Sequence, residues 1–109
     1  MGLVIHRFDI YLVNLEPTIG SEMKKTRPCV VVSPNSINRN LATVLIAPMT
    51  SKFHAYPSHV PCFFQDQHGE IALEQMRVAD KRRLIRLLGT LDAPTQKQVL
   101  GVLAEMFAE

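Results

Sequence analysis

Tryptophan is absent from the sequence, and cysteine occurs only twice in 109 residues. Two cysteines are too few for a disulfide-rich scaffold. Cys29 precedes a run of three valines, and Cys62 stands between a proline and a phenylalanine. Such apolar surroundings are typical of buried free thiols. The fold must therefore rest on an ordinary hydrophobic core, which a chain of this size often supplements by forming oligomers.

Metal-ligand patterns are lacking as well. The four histidines share no ligand-like spacing, and there is no Cys-x-x-Cys pair, so we expect neither a structural zinc nor any other cofactor. No hydrophobic run is long enough to span a bilayer, and the N-terminus has no apolar stretch like that of a signal peptide. The expected protein is soluble, cytoplasmic and without a membrane segment.

A strong excess of one charge is also missing, since the formal net charge is only +2. An anionic partner must then be attracted by local clusters of basic residues. Two segments carry such clusters: Lys24, Lys25 and Arg27, and Lys81, Arg82, Arg83 and Arg86. Each cluster could be a solvated loop unless the fold places it beside a groove. The composition is that of a globular protein, and the length suits one domain over residues 1–109.

Short strand-like segments separated by turn signals dominate the chain. The predicted strands cover residues 8–15, 29–33, 43–49, 58–64 and 71–79, with a turn and a last strand within 84–91. The apolar run at 29–33 is typical of a central strand buried on both faces, whereas Pro61 places its strand at an edge or a bulge. A helical turn is expected at Asn35–Asn40 and a hairpin turn at 65–70.

Only the C-terminal segment has helical periodicity. Pro94 suits the first turn of a helix over residues 94–108. One face of that helix is apolar at i, i+3 and i+4 spacing: Val99, Val102, Leu103, Met106 and Phe107. The sequence therefore predicts a mainly β fold, a small curled antiparallel sheet or barrel with a C-terminal helix packed against it.

Polar side chains stand at the ends of several predicted elements. Residues 16–26 form a long loop without periodicity, and such loops are often functional. Arg27 follows this loop, and Pro28 holds its backbone extended. Thr50 and Ser51 come directly after an apolar strand. A third segment interrupts a predicted strand with charged and amide groups, Glu74, Gln75 and Arg77.

Taken singly, each of these residues has a structural explanation, because Arg27 could pair with Glu22 or Asp9, and Glu74 with Arg77. Taken together, they suit one reaction. RNA carries its own nucleophile, the 2′-OH, so an enzyme needs to align it, remove its proton and stabilise the phosphorane. A carboxylate can accept the proton, and a guanidinium can hold two phosphate oxygens.

Six blocks of sequence make this hypothesis specific. They are Arg7-x-Asp9-Ile10-Tyr11, Pro17-Thr18-x-Gly20-Ser21-Glu22, Thr26-Arg27-Pro28-x-Val30-Val31-Val32, Asn38-Arg39, Pro48-x-Thr50-Ser51 and Leu73-Glu74-Gln75-x-Arg77-x-x-Asp80. In order and spacing, the blocks resemble the MazF/PemK toxin family over residues 7–91. The resemblance implies an SH3-like, CcdB/PemK-type β-barrel with a C-terminal helix.

The resemblance also implies a function. Members of this family are homodimeric endoribonucleases that cleave single-stranded RNA at short sequences without a metal. They leave a 2′,3′-cyclic phosphate or related 3′ end and a 5′-OH, and a cognate antitoxin holds them inactive. We expect that antitoxin to contribute an acidic, partly disordered segment that competes with RNA for Lys24, Lys25 and Arg77.

Carried over position by position, the resemblance implies that Arg27 stabilises the phosphorane charge. Thr50 would hydrogen-bond to the scissile phosphate or the 2′-OH. The general base is either Glu22 or Glu74. The side chains expected to contact the RNA are Ser21, Lys24, Lys25, Ser51, Gln75 and Arg77.

The chain departs from the family pattern at Phe8, where relatives usually have glycine, and in the loop at Met23, Lys24 and Lys25. The loop shapes access of the RNA, so the cleaved sequence cannot be inherited from a relative. His59 and His68 match no catalytic block and are interpreted as surface or packing residues.

Two other functions remain open. A CcdB-like poison of DNA gyrase would share the fold and act by protein binding through its last helical residues, because fold alone does not fix function. An inactive RNA-binding module would need only the basic loops. Arg27 and Thr50 in their family contexts favour the nuclease.

Overall fold

A computed structural model describes residues 4–109 of the chain, and this part contains seven strands and two α-helices. The strands are β1 (Asp9–Asn14), β2 (Thr26–Val31), β3 (Thr43–Thr50), β4 (His59–Phe64), β5 (Gln67–Ala72), β6 (Arg77–Asp80) and β7 (Leu84–Thr90). The helices are α1 (Asn35–Asn40) and α2 (Ala93–Met106). The predicted mainly β fold with a C-terminal helix is confirmed.

The strands form one curled antiparallel sheet in the order β4-β5-β3-β2-β1-β7. β3 changes partner along its length: Thr43 to Ile46 pair with β6, whereas Met49 and Thr50 pair with β5. Pro48 lies between the two halves and has no backbone N–H to donate. The change of partner curls the sheet into a half-barrel and brings the end of β3 against the β4–β5 hairpin.

Hydrophobic side chains alternate between the two faces of this sheet, so β1, β2 and β3 contribute buried residues to two clusters. Ile10 and Val30 belong to the cluster beneath α2, where Val99 is fully buried. Tyr11 and Val31 belong to the cluster on the opposite face. Because both faces are covered, β2 is the central buried strand that the sequence predicts at 29–33.

Both cysteines are buried free thiols, as predicted. Burial raises the pKa of Cys29 to about 12 and that of Cys62 to about 11. Only the thiolate is a strong nucleophile, so neither residue is reactive at neutral pH. Pro61 is exposed on β4, which is an edge strand, so the predicted edge position is also confirmed.

The predicted helix is confirmed, but it begins one residue earlier than expected and ends two residues earlier, at Met106. Val99, Val102, Leu103 and Met106 pack against the core as predicted, whereas Phe107 is 73% exposed beyond the helix end. The Asp92 carboxylate accepts a hydrogen bond from the Thr95 N–H at 2.9 Å and caps the N-terminus, while Pro94 occupies the first turn. Of the helices within residues 4–109, none is long and apolar enough to cross a membrane.

The strand predicted at 71–79 is wrong. The chain leaves β5 after Ala72, makes a 3₁₀ turn over Leu73–Gln75 and enters β6 at Arg77. The Met76 N–H donates to the Leu73 carbonyl and closes this turn. Glu74 and Gln75 therefore lie on a turn between two strands, which lets both side chains leave the sheet.

Two turn positions also differ from the prediction. β5 already begins at Gln67, so the hairpin turn consists only of Gln65 and Asp66, with φ of 52° and 58°. Two successive residues with positive φ match a type I′ hairpin, whose twist agrees with that of the strands. The last strand fills Leu84–Thr90, and the turn expected inside 84–91 lies before it, at Lys81–Arg83.

Candidate active site

Arg27 is held by backbone oxygens. Its Nε donates to the Lys24 carbonyl at 3.2 Å, and its Nη1 donates to the Met49 carbonyl at 3.3 Å. Nη1 also lies 3.5 Å from the Met23 sulfur. The alternatives that paired Arg27 with Glu22 or Asp9 are wrong, since within residues 4–109 no carboxylate forms an ion pair with it. The positive charge of the Arg27 guanidinium is therefore available to bind an external anion.

Arg27, Thr50 and Ser51 line one open cleft of about 310 Å³, which we call the first cleft. Its other walls come from the end of β3 and from the β4–β5 hairpin: Pro28, Met49, Cys62, Phe64, Gln65, Gln67, His68 and Gly69. The Thr50 hydroxyl accepts a hydrogen bond from the Lys52 N–H at 3.2 Å, which fixes its position at the end of β3. A guanidinium and two hydroxyl groups thus face the same space.

Gly69 lets β5 approach β3 closely beside the first cleft, because a Cβ at this position would lie 2.6 Å from the Thr50 carbonyl oxygen. We expect Gly69→Ala to lower the free energy of unfolding by roughly 1–3 kcal/mol, the usual cost of overpacking. The matched control is Gly101→Ala, where no atom lies within 4 Å. In helix α2 it should raise stability by about 0.5–1 kcal/mol.

Urea unfolding of the two variants measures both effects. Equal stability of the Gly69→Ala variant and the unmodified chain would show that β5 can move away from Thr50 at no cost.

Glu22, Glu74, Gln75 and Arg77 line a second open cleft of about 240 Å³, together with Leu15, Met23, Pro48 and Met76. These polar groups also hold the loop between β1 and β2. Gln75 Oε1 accepts from the Met23 N–H at 3.4 Å, and Arg77 Nη1 donates to the Leu15 carbonyl at 3.1 Å. Glu22 Oε1 accepts from the Ile19 N–H at 2.7 Å.

The two clefts adjoin at Met23 and Arg27. Met23 lines the second cleft and contacts the Arg27 guanidinium, which lines the first. Pro48 lines the second cleft, and the next residue, Met49, lines the first. The structure thus brings most predicted site residues onto one continuous surface. Three of them, Ser21, Lys24 and Lys25, line neither cleft and are exposed on the neighbouring loop.

His59 lies between two carboxylates. Its Nδ1 is 2.7 Å from Glu70 Oε1, and its Nε2 is 2.9 Å from Glu74 Oε2. The side chains of His59 and Glu70 are 1% and 4% exposed, so this pair is buried, whereas that of Glu74 is 36% exposed. The Ser58 hydroxyl donates to the other oxygen of Glu74 at 2.8 Å.

The hydrogen bonds of this network shift three pKa values. Burial alone would lower the pKa of His59, but the bonds to Glu70 and Glu74 raise it above its ordinary value. Hydrogen bonds from the backbone N–H of His54 and from the His59 ring lower the pKa of Glu70. Burial alone would raise the pKa of Glu74, yet His59 and Ser58 lower it. Both ring nitrogens face carboxylate oxygens, which can only accept, so the geometry and the raised pKa together favour the imidazolium form of His59.

Sequence reasoning missed this network. The sequence predicts His59 as a surface or packing residue; it is buried, but it also hydrogen-bonds to Glu70 and Glu74. Glu70 was not singled out at all, and Glu74 pairs with His59 instead of Arg77. The signal exists only in the hairpin register, where His59 faces Ala72 and Pro61 faces Glu70. His68 is exposed and lines the first cleft.

The second basic cluster is mostly occupied by local contacts. Lys81 donates to the Asn38 carbonyl, Arg82 pairs with Asp80, and Arg83 donates to the carbonyls of Asn14 and Glu16. These bonds fix the turn before β7 and the start of the β1–β2 loop. Among the described residues, no three His, Cys, Asp or Glu side chains are arranged to hold a metal ion.

Fold and site together define a small β protein whose surface presents a guanidinium beside hydroxyl and carboxylate groups, a combination suited to phosphodiester chemistry. A family model makes the identification particular. The model of the PemK-like, MazF-like toxin of type II toxin–antitoxin systems matches residues 6–107. The chain belongs to this family.

Individual relatives agree with the family. The endoribonuclease MazF of Staphylococcus saprophyticus is 33% identical over 102 residues, which cover 88% of this chain and 85% of the relative. The crystal structure of MazF from Deinococcus radiodurans has a TM-score of 0.83 at 25% identity, covering 96% of this chain and 97% of that chain.

A third relative was solved with a partner. An endoribonuclease from a mycobacterial species, in complex with its cognate antitoxin, has a TM-score of 0.79 at 22% identity. The match covers 93% of this chain and 92% of that chain. At this identity the likeness shows the shared fold.

Proposed function

We propose that this toxin is a sequence-specific endoribonuclease that cuts single-stranded RNA by attack of the 2′-OH, without a metal ion. The products would carry a 2′,3′-cyclic phosphate and a 5′-OH. The observation that carries this proposal is the first cleft, where a guanidinium bound only to carbonyls and sulfur faces Thr50 and Ser51. The endoribonuclease name of the curated relative supports the same activity.

In this proposal Arg27 and Thr50 have different roles at the scissile phosphate. Two carbonyl acceptors hold the Arg27 side chain in place before RNA arrives, so little reorganisation is needed when the phosphorane forms. Arg27 acts by charge, because a guanidinium stays protonated at neutral pH and is a poor proton donor. The Thr50 hydroxyl donates to a phosphate oxygen or orients the 2′-OH.

Glu22 is the better candidate for the general base. Both oxygens of Glu74 are bonded, to Ser58 and His59, and the lowered pKa of Glu74 makes it a weaker base. Glu22 uses a single oxygen, Oε1, for its loop contact. In this proposal Glu74, which His59 holds in position, instead forms part of the wall of the second cleft.

The exposed loop residues Ser21, Lys24 and Lys25 provide contacts for the RNA beyond the clefts, and Ser51, Gln75 and Arg77 provide them inside. A second copy of the chain would double these loops around one channel. Ile85 and Leu87 are exposed on the edge strand β7 and are candidates for such a subunit contact. We accordingly propose a homodimer acting on cytoplasmic RNA.

The proposed inhibitor is a cognate antitoxin, as in the mycobacterial complex. An acidic segment would bind most strongly to the exposed Lys24 and Lys25 and to Arg77 in the second cleft, and would exclude RNA from the same surface.

The test is incubation of the purified chain with a long single-stranded RNA in excess EDTA. We expect discrete fragments whose 5′ ends can be phosphorylated directly by polynucleotide kinase, because they carry a free hydroxyl. The same sequence within a duplex should remain intact. Cleavage that disappears with EDTA would contradict the metal-independent mechanism. Inhibition of gyrase without RNA cleavage would favour the CcdB-like alternative.

A further inference from the structure

The loop between β3 and β4 concentrates aromatic rings on the surface. Residues 51–57 are all exposed, and we call this segment the aromatic loop. The rings of His54 and Tyr56 are stacked, with centroids 4.9 Å apart and planes only 9° from parallel. Tyr56 is 51% exposed and Phe53 is 65% exposed. Exposed, flat and parallel rings in a chain with few aromatics need an explanation beyond core packing.

Buried Glu70 holds this stack in place. Its Oε1 accepts from the His54 N–H at 3.0 Å, and its Oε2 lies 3.3 Å from the Ala55 nitrogen, which donates to it. Ala55 has a φ of 53°, a conformation that residues with a Cβ rarely adopt without such support. The Tyr56 ring also packs against the buried His59 ring in an edge-to-face arrangement, with centroids 5.0 Å apart. The exposed rings are therefore presented from a fixed backbone.

The aromatic loop runs from the first cleft to a residue that contacts the second. It begins directly after Thr50, which lines the first cleft, and it leads to Ser58, whose hydroxyl donates to Glu74 in the second. Lys52 lies exposed in the same loop. A cation interleaved with aromatic rings beside a phosphate-binding cleft is typical of single-strand binding, where phosphates meet the cation and bases stack on the rings.

We propose that the His54–Tyr56 stack is a base-stacking subsite for one unpaired nucleotide of the RNA, adjacent to the nucleotide that is cut. The inference rests on the proposed ribonuclease function and deepens it. Stacking tolerates any base, so this subsite contributes affinity and register, while the edges of other bases carry the sequence preference.

The test compares Tyr56→Ala with two matched variants, Tyr56→Leu and Tyr56→Phe. The probe is a short fluorescent 2′-O-methyl RNA that spans a mapped cleavage site and cannot be cut, because its nucleophile is blocked. Alanine and leucine should weaken binding by roughly 5- to 150-fold, as expected for one lost base–aromatic stack, while phenylalanine should bind within about twofold. Since Tyr56 is half exposed, all three variants should unfold at the same temperature.

A second probe locates the base. Removing single bases from the RNA should reveal one position whose loss weakens binding to the unmodified chain but not to the alanine variant. Equal binding by all variants, with RNA cleavage intact, would overturn this inference alone. No RNA cleavage by the unmodified chain would overturn the proposed function as well. Undiminished RNA binding with lost inhibition by the antitoxin would assign the stack to the protein partner and overturn the inference.

Discussion

Replacing Arg27 by alanine should lower the rate of RNA cleavage by roughly 100- to 1000-fold, the usual effect of removing one preorganised group that stabilises transition-state charge. The side chain is held by the Lys24 and Met49 carbonyls, and within residues 4–109 no other Arg or Lys lines the first cleft. Arg27→Lys keeps the charge but loses the planar fork, and it should recover only part of the activity.

The measurement is single-turnover cleavage of a defined RNA with enzyme in excess. Arg86→Ala is the matched control, because Arg86 is exposed on β7 and lines neither cleft. It should retain the cleavage rate within about threefold, since it removes only a screened surface charge. Equal losses in both variants would mean that Arg27 acts through general attraction of RNA, and the assigned role would be wrong.

Replacing His59 by leucine should lower the free energy of unfolding by about 3–5 kcal/mol near pH 6, because it leaves buried carboxylate charge without its cation. Leucine has similar bulk, so loss of packing contributes little. His68→Ala is the matched control, since His68 is exposed and should change stability by less than about 0.5 kcal/mol. The measurement is urea unfolding with both variants at several pH values.

The pH dependence follows from the signs of the shifts. His59 has a raised pKa, so its contribution to stability is complete below its ordinary value of 6.5 and is lost as pH rises through the folded-state pKa. Glu70 and Glu74 have lowered pKa values, so their contributions are complete above 4.5 and are lost as pH falls through the folded-state values. The network therefore stabilises the fold most between these two pH values.

The difference in stability between the unmodified chain and His59→Leu should consequently be largest near pH 5–6. It should shrink toward alkaline pH, where His59 becomes neutral in the unmodified chain. A difference that stays constant from pH 5 to pH 9 would show that His59 packs as a neutral ring.

Prediction from sequence succeeded where the information is local. The apolar run at 29–33, the capped and periodic segment that forms α2, and the proline on β4 each reflect a property of neighbouring residues. It failed at residues 71–79, because buried Ile71, Ala72 and Leu73 fit either a strand or a turn. Only the contacts of Leu73 with Ser58 and Met76 decide between them.

The candidate site divides in the same way. Arg27, Thr50, Glu22 and Glu74 stand in recognisable blocks, and their catalytic roles remain predictions. The two clefts in which these residues lie depend on the point along β3 where its partner changes from β6 to β5. Nothing near His54, Tyr56 or Glu70 in the sequence indicates a supported stack of rings.

By itself, the sequence determined the mainly β fold, the C-terminal helix, the family and the residue types that suit phosphodiester chemistry, because these follow from periodicity, capping and motifs within short segments. Only the tertiary structure decided that His59 is buried between Glu70 and Glu74, and that the aromatic loop runs from the first cleft to the hydroxyl that binds Glu74. Those facts depend on hairpin register and on burial. The pairing of β4 with β5 and the packing of the whole fold set them, and periodicity among neighbouring residues does not reveal either.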